Sequence, residues 1–221
     1  MIDFTTKNYY LFDLDGTVVD LEQLNFTSFR DAIAELSGKT LLYAEYLSMF
    51  AGSGSRKGFE RYFAAQKITD VDGYTAVKVY REKKEKALQE RFFEVVTVKP
   101  GLELFLEKLK ELGKKLAIAT STSRHFAELI LDKSGLRQYF DTLVAIEDVQ
   151  KTKPAPDIFL EALKRLGGVK SETVIFEDSV NGVESAKNSG IEYIVVHTKN
   201  NNDVLAKQEN EVIFDYISLK V

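Results

Sequence analysis

The 221-residue sequence has no cysteine, which excludes disulfides, thiolate nucleophiles and cysteine-bound metal centres and fits a reducing compartment. Histidine is scarce: His125 and His197 are the two present, and they read most simply as a helix-start residue and a loop residue. No stretch approaches the roughly 18 apolar residues of a membrane helix. The N-terminus also lacks the basic start and apolar core of a secretory signal, so the expectation is a soluble cytoplasmic protein. There is no surplus of positive charge: 30 Lys and Arg against 34 Asp and Glu give a formal charge of -4. That offers no general attraction for nucleic acid or anionic membranes, although a local field can still hold a small anion. No internal repeat or low-complexity segment occurs. What is there, 44% hydrophobic and 29% charged residues, is ordinary globular composition, long enough for one core and a smaller accessory domain.

The first apolar run, Tyr9 to Phe12, ends in Asp13-Leu14-Asp15-Gly16-Thr17. Carboxylates are costly to desolvate, so a pair closing a buried strand holds a metal or a proton, or faces water; an Asp-Gly turn that simply ends the strand is the competing reading. A helix from about Leu21 to Leu36 follows, with Leu24, Phe29, Ile33 and Leu36 at helical spacing, and Gly38 can end it. Leu41 to Gln89 continues in helical patterning, broken near Gly52-Ser53-Gly54-Ser55 and Asp70-Val71-Asp72-Gly73, with no alternating strand: an all-helical insert. Its mixed-sign run Arg81-Glu82-Lys83-Lys84-Glu85-Lys86 reads as a solvated helix face.

At Lys99-Pro100-Gly101 the pattern changes. An amphipathic helix over Leu102, Phe105, Leu106, Leu109 and Leu112 leads to the strand Leu116 to Thr120. The alternation repeats through a helix near Phe126 to Lys133, a strand Leu143 to Ile146, a helix near Asp157 to Leu166, the strand Thr173 to Phe176, a helix near Gly182 to Asn188 and the strand Tyr193 to Val196. Val212-Ile213-Phe214 adds an edge strand. Short, wholly apolar strands separated by helices predict an α/β fold, a parallel sheet covered on both faces.

Ligands of such sheets bind at the carboxyl ends of the strands. Those ends carry Asp13 and Asp15, then Thr120-Ser121-Thr122-Ser123, then Lys151-Thr152-Lys153-Pro154, then Glu177-Asp178-Ser179. Carboxylates from two strand ends suit Mg²⁺, which takes one or two carboxylates plus waters and substrate phosphate; Asp13 and Asp178 are the expected direct ligands. A hydroxyl and a lysine at the same point, Thr120 and Lys153, would cradle a phosphoryl group and offset its developing charge. With no cysteine and two histidines, an aspartate is the economical nucleophile.

Asp13-Leu14-Asp15-Gly16-Thr17, Thr120, Lys153-Pro154-Ala155-Pro156-Asp157-Ile158-Phe159 and Phe176-Glu177-Asp178-Ser179-Val180-Asn181-Gly182 together resemble the four ordered motifs of the haloacid dehalogenase superfamily, in its phosphatase and phosphomutase branch. The resemblance spans nearly the whole chain. It implies a Rossmann-like core, residues 1–19 and 97–221, with a helical cap inserted at 20–96. By resemblance, Asp13 attacks phosphorus and ligates Mg²⁺, and the Asp15 backbone carbonyl is a second ligand. The Asp15 side chain is the general acid and base. Thr120 and the Ser121 amide bind the phosphoryl group, Lys153 links it to Asp13, Asp178 binds the metal, and Glu177 either ligates it or holds its waters.

Asp20 either serves the site or orders the turn into the cap. Arg56 resembles the cap-loop residue that reads substrate, with Gly54 and Ser55 allowing close backbone approach, or is a solvated arginine. Arg124 either contacts a distal anionic group or is exposed behind an N-cap at Ser123. The implied activity is Mg²⁺-dependent hydrolysis of a small-molecule phosphate ester, a sugar phosphate or phosphoglycolate-like metabolite, by a monomer or weak homo-oligomer. Two alternatives stand beside it: a β-phosphoglucomutase-like isomerase, against which Asn25 stands where such mutases carry a histidine, and a non-catalytic protein on the same fold, disfavoured because no site residue is replaced. A response-regulator receiver fits poorly, since it needs no insert of this length.

Overall fold

The structure, a computed structural model, describes residues 2–50, 54–198 and 211–219. Gly52 and Ser53 of the expected cap loop lie outside the described residues. The chain runs β1 (Tyr9–Phe12), β2 (Val19–Asp20), α1 (Glu22–Ser37), α2 (Tyr43–Met49), α3 (Ser55–Gln66), α4 (Gly73–Glu90), α5 (Phe92–Val95) and β3 (Thr97–Val98). It then alternates α6 (Leu102–Glu111), β4 (Lys115–Ala119), α7 (Arg124–Lys133), β5 (Thr142–Val144), α8 (Asp157–Leu166), β6 (Thr173–Glu177), α9 (Val180–Ser189), β7 (Glu192–Val196) and β8 (Val212–Ile213). Two compact units result: Met1–Asp20 with Val98–Val221, and Leu21–Thr97.

The first unit is built on a six-stranded sheet in the order β5-β4-β1-β6-β7-β8, every pairing parallel. Successive side chains of β1 enter opposite faces. Leu11 joins Ile158, Phe159, Ala162 and Leu163 of α8 and Ala186 of α9 in one core layer. On the other face Tyr10 and Phe12 meet aromatics: Phe12 stacks on Phe176 of β6 at 4.7 Å and 8°, and Tyr10 sets its ring against Phe105 of α6 at 6.3 Å. An aromatic pair of this kind contributes about 0.5–1.5 kcal/mol beyond its area burial. The middles of the strands are apolar because both faces are covered.

The second unit is wholly helical between its flanking strands and has an aromatic core. Phe29 of α1 stacks on Tyr80 of α4 at 4.1 Å and lies 4.4 Å from Phe50. Asp72 caps α4 by accepting from the amides of Tyr74 and Thr75 at 2.7 and 3.0 Å. Gly58 lets α3 pack against Phe50, whose ring stands 2.4 Å from where a Cβ would be.

Three local expectations change. The strand ending at Ile146 stops at Val144, because the Asp148 carboxylate takes the Ala145 amide at 2.8 Å and turns the chain into a 3₁₀ segment. The edge strand ends at Ile213, leaving Phe214 exposed. In the charged run of α4, Arg81, Glu82 and Lys86 are exposed but Lys84 is buried, its Nζ donating to Asn25 Oδ1 at 2.9 Å. A long aliphatic stem with one satisfied polar end can turn inward where a shorter charged chain cannot.

Candidate active site

The site lies at the carboxyl end of β1, the central strand. Phe12 is in register with Ile118 of β4 on one side and Phe176 of β6 on the other. The next residues, Asp13 just past β1 and Glu177 closing β6, therefore stand side by side, with Thr120 following the end of β4. The chain crosses from β1 to β4 on one side and reaches β6 on the other, the strand-order reversal at which open α/β sheets form a crevice.

Lys153, from the connection between β5 and α8, joins the two buried acids: its Nζ donates to Asp13 Oδ1 at 2.5 Å and to Glu177 Oε2 at 2.6 Å. Glu177 Oε1 accepts the amides of Asp178 and Ser179 at 3.0 and 2.9 Å, so this side chain holds both the lysine and the turn after β6. Asp178 accepts from Thr17 Oγ1 at 3.2 Å. Carboxylate oxygens of Asp13, Glu177 and Asp178 all lie within 4.8 Å of one another.

Two glycines make the room. A Cβ on Gly16, whose φ is +90°, would fall 2.1 Å from Asp178 Oδ2, and one on Gly182 would fall 1.9 Å from Glu177 Cδ. The turn around Gly16 is tight: Gly16 N donates to Val19 O at 2.7 Å, and the amides of Val18 and Val19 both reach Leu14 O at 3.0 Å.

The electrostatics follow from this crowding. Burial, with the charges of Glu177 and Asp15, pushes the Asp13 carboxyl up to about 7 against the opposing pull of Lys153. Burial and the carboxylates of Glu177, Asp13 and Asp15 likewise hold Asp178 well above the usual range. Burial works against the Lys153 charge, but Asp13 and Glu177 more than offset it and keep the ammonium protonated above its ordinary value. Four acids thus converge on one ammonium, and the local surplus is negative. A divalent cation with oxygen preference fits that donor set.

Thr120 is buried, and its hydroxyl accepts the Thr122 amide at 3.1 Å; Ser121 beside it is exposed. Asp15 is part-buried and bridges to Val19, while Asp20 is exposed at the end of β2. Arg124 is part-buried. Its guanidinium pairs with Asp148 at 2.5 Å and Glu128 at 3.3 Å. Helix α7 begins two residues earlier than the pattern predicted, and Ser123 gives no side-chain cap: the Arg124 amide is taken by Glu147 at 2.9 Å. Arg56, at the start of α3 in the helical unit, donates to Tyr74 OH at 2.5 Å and pairs with Glu60.

Sequence reading gave Thr17 no part beyond marking, with Gly16, the exit toward the cap, and gave none to Gly182 or Tyr216. Thr17 and Gly182 lie inside motifs already marked by their acids; Tyr216 lies in no motif, and nothing in its local sequence sets it apart.

The family model of haloacid dehalogenase-like hydrolases matches residues 10–196. A phosphorylated carbohydrates phosphatase of Thermotoga maritima is 38% identical over 198 residues, 88% of either chain. Among solved structures, CbbY from Rhodobacter sphaeroides in complex with phosphate superposes with a TM-score of 0.85 at 26% identity, covering 96% of both chains. A Thermotoga maritima protein assigned as a candidate β-phosphoglucomutase superposes with a TM-score of 0.77 at 32% identity, covering 95% of both.

Proposed function

Because the chain belongs to the haloacid dehalogenase-like hydrolases, we propose that it is a Mg²⁺-dependent phosphatase that hydrolyses a small sugar phosphate or phosphoglycolate-like ester through an aspartyl-phosphate on Asp13. The observation that carries this reading is the Lys153 ammonium seated between Asp13 and Glu177 at the strand ends. Such an arrangement holds one carboxylate in place while presenting positive charge where phosphoryl oxygens gather charge during transfer.

Asp13, Asp178 and the backbone carbonyl of Asp15 would hold Mg²⁺, which when bound neutralises charge on the phosphoryl oxygens. Both oxygens of Glu177 already accept hydrogen bonds, which favours holding metal-bound waters over direct ligation. Asp13 attacks phosphorus, forming an oxygen–phosphorus bond as the ester bond breaks. Asp15 gives its proton to the leaving oxygen, then takes one from the water that attacks the phosphoenzyme. Thr120, which accepts in its bond to the Thr122 amide, keeps its own proton for a phosphoryl oxygen, and the Ser121 amide supports the same group. Arg56 and Asp20 are assigned to substrate reading and to the entry into the helical unit; Arg124, held by Asp148, is assigned no substrate contact.

The Thermotoga relative named for phosphorylated carbohydrates supports the substrate class. Among the described residues no helix is long and apolar enough to cross a membrane; that the enzyme is cytoplasmic, and monomeric or weakly self-associating, is part of the proposal. The competing reading, a β-phosphoglucomutase-like isomerase, is favoured by the 32% identical structural neighbour. At position 25 stands an asparagine whose carbonyl accepts from Tyr80 and Lys84, a group with no proton to shuttle. A phosphate-release screen over sugar phosphates and phosphoglycolate tests the proposal. With β-glucose 1-phosphate and a trace of the bisphosphate, free phosphate is expected; glucose 6-phosphate without phosphate would establish the mutase.

A further inference from the structure

Tyr216 is nearly inaccessible, at 2% exposure, and lies outside every motif. Its amide donates to Pro100 O at 3.0 Å, and the segment packs so closely that a Cβ on Gly101 would meet Ile217 N at 2.7 Å. Its ring lies against Phe105, Phe176 and Phe12 at 5.5, 5.6 and 6.4 Å, which aims the hydroxyl at the turn after β1. There it donates to Thr17 O at 3.2 Å. Thr17 has no exposed surface, and its own hydroxyl donates to Asp178 Oδ1. A continuous path of two hydrogen bonds therefore runs from the end of the chain to a carboxylate of the site.

We propose that Tyr216 is a positioning residue: by fixing the Thr17 backbone it sets the direction from which the Thr17 hydroxyl grips Asp178, and hence the orientation of that carboxylate toward a bound divalent cation. Burial and the facing carboxylates of Asp178, Asp13 and Glu177 raise the phenol well above its ordinary range, so it stays a donor throughout the working pH range. With Tyr216 at 2% exposure and Thr17 fully buried, bulk solvent does not compete for this bond, which acts as a strut. Partners that orient a ligand residue tune a metal site without touching the ion. The inference rests on reading Asp178 as a metal-binding residue of the proposed phosphatase.

The test is Mg²⁺ titration by calorimetry, with steady-state kinetics, on Tyr216→Phe, Thr17→Val and the double variant. Tyr216→Phe keeps the aromatic packing and removes the hydroxyl. Its Mg²⁺ dissociation constant is expected to rise about fivefold and its kcat to fall by a similar factor with KM unmoved; Thr17→Val, one bond nearer, is expected to show about tenfold, in the lower range for outer partners of a metal site. The double variant should be no worse than Thr17→Val alone. Unchanged Mg²⁺ affinity in Tyr216→Phe, or effects that multiply in the double variant, would overturn the relay. Should Tyr216→Phe not fold, unchanged Mg²⁺ affinity in Thr17→Val overturns it and a tenfold loss supports it. Absence of phosphate release by the wild type from any ester would sink the proposed function, while the Mg²⁺ titration would still decide the role of Tyr216.

Discussion

Lys153 Nζ sits 2.5 Å from Asp13 Oδ1 and 2.6 Å from Glu177 Oε2, with its side chain 5% exposed. One ammonium therefore supplies the counter-charge to two buried acidic side chains at the heart of the site. Lys153→Met should leave them without a counter-charge and destabilise the fold by about 3–5 kcal/mol at pH 8, the usual consequence of breaking a buried ion pair. The loss should shrink at pH 5, where the Asp13 carboxyl, pushed up to about 7, holds its proton. Urea unfolding at both pH values checks this; equal stability to wild type at pH 8 would show that the contact does not matter to the fold.

The same crowding makes stability depend on pH and metal. An acid whose folded pKa is raised contributes stability that is fully present below its unfolded value and lost as pH rises through the folded one. For Asp13 that window runs from 3.8 to about 7, and Asp178 shifts in the same direction. Acids with lowered values, such as Asp141 and Asp148, gain their stability below this window. In chelator, the melting temperature should fall from pH 5 to pH 8; Mg²⁺ should restore it at pH 8 and do little at pH 5. A melting temperature indifferent to Mg²⁺ at pH 8 would count against the metal.

Gly16→Ala places a methyl group 2.1 Å from Asp178 Oδ2 on a backbone with φ +90°. Such a conformation costs a residue with a Cβ about 1–3 kcal/mol, and Asp178 must also move. Reduced thermal stability with at least a tenfold loss of turnover is expected. Wild-type kinetics would show that Asp178 tolerates displacement.

Asp15→Asn keeps the size of the side chain and removes its proton transfer. Turnover should fall by about 10²–10⁴-fold, most for esters with poor leaving groups. Equal losses for good and poor leaving groups in single-turnover formation of the phosphoenzyme would take the acid role from Asp15.

Much of this was legible in sequence because it is carried by short-range rules. β1 spans Tyr9–Phe12 and α8 spans Asp157–Leu166 as the patterns predict, since apolar runs and helical periodicity report burial directly. The approach of Asp13, Lys153, Glu177 and Asp178 followed once the parallel sheet was assumed, because consecutive strand ends then share one edge. What escaped depends on contacts between distant residues. Nothing local announces that Asp148 will take the Arg124 guanidinium from 24 positions away, that Lys84 will turn toward Asn25, or that Tyr216 will reach Thr17 across 199 positions.

The central claim is that Asp13 carries the phosphoryl group. Wild-type enzyme mixed with Mg²⁺ and its best phosphate ester, quenched within one turnover and treated with borohydride, should yield homoserine at position 13, the reduction product of an aspartyl-phosphate. A burst of phosphoenzyme that leaves Asp13 unreduced, or homoserine at any other aspartate, would contradict the account.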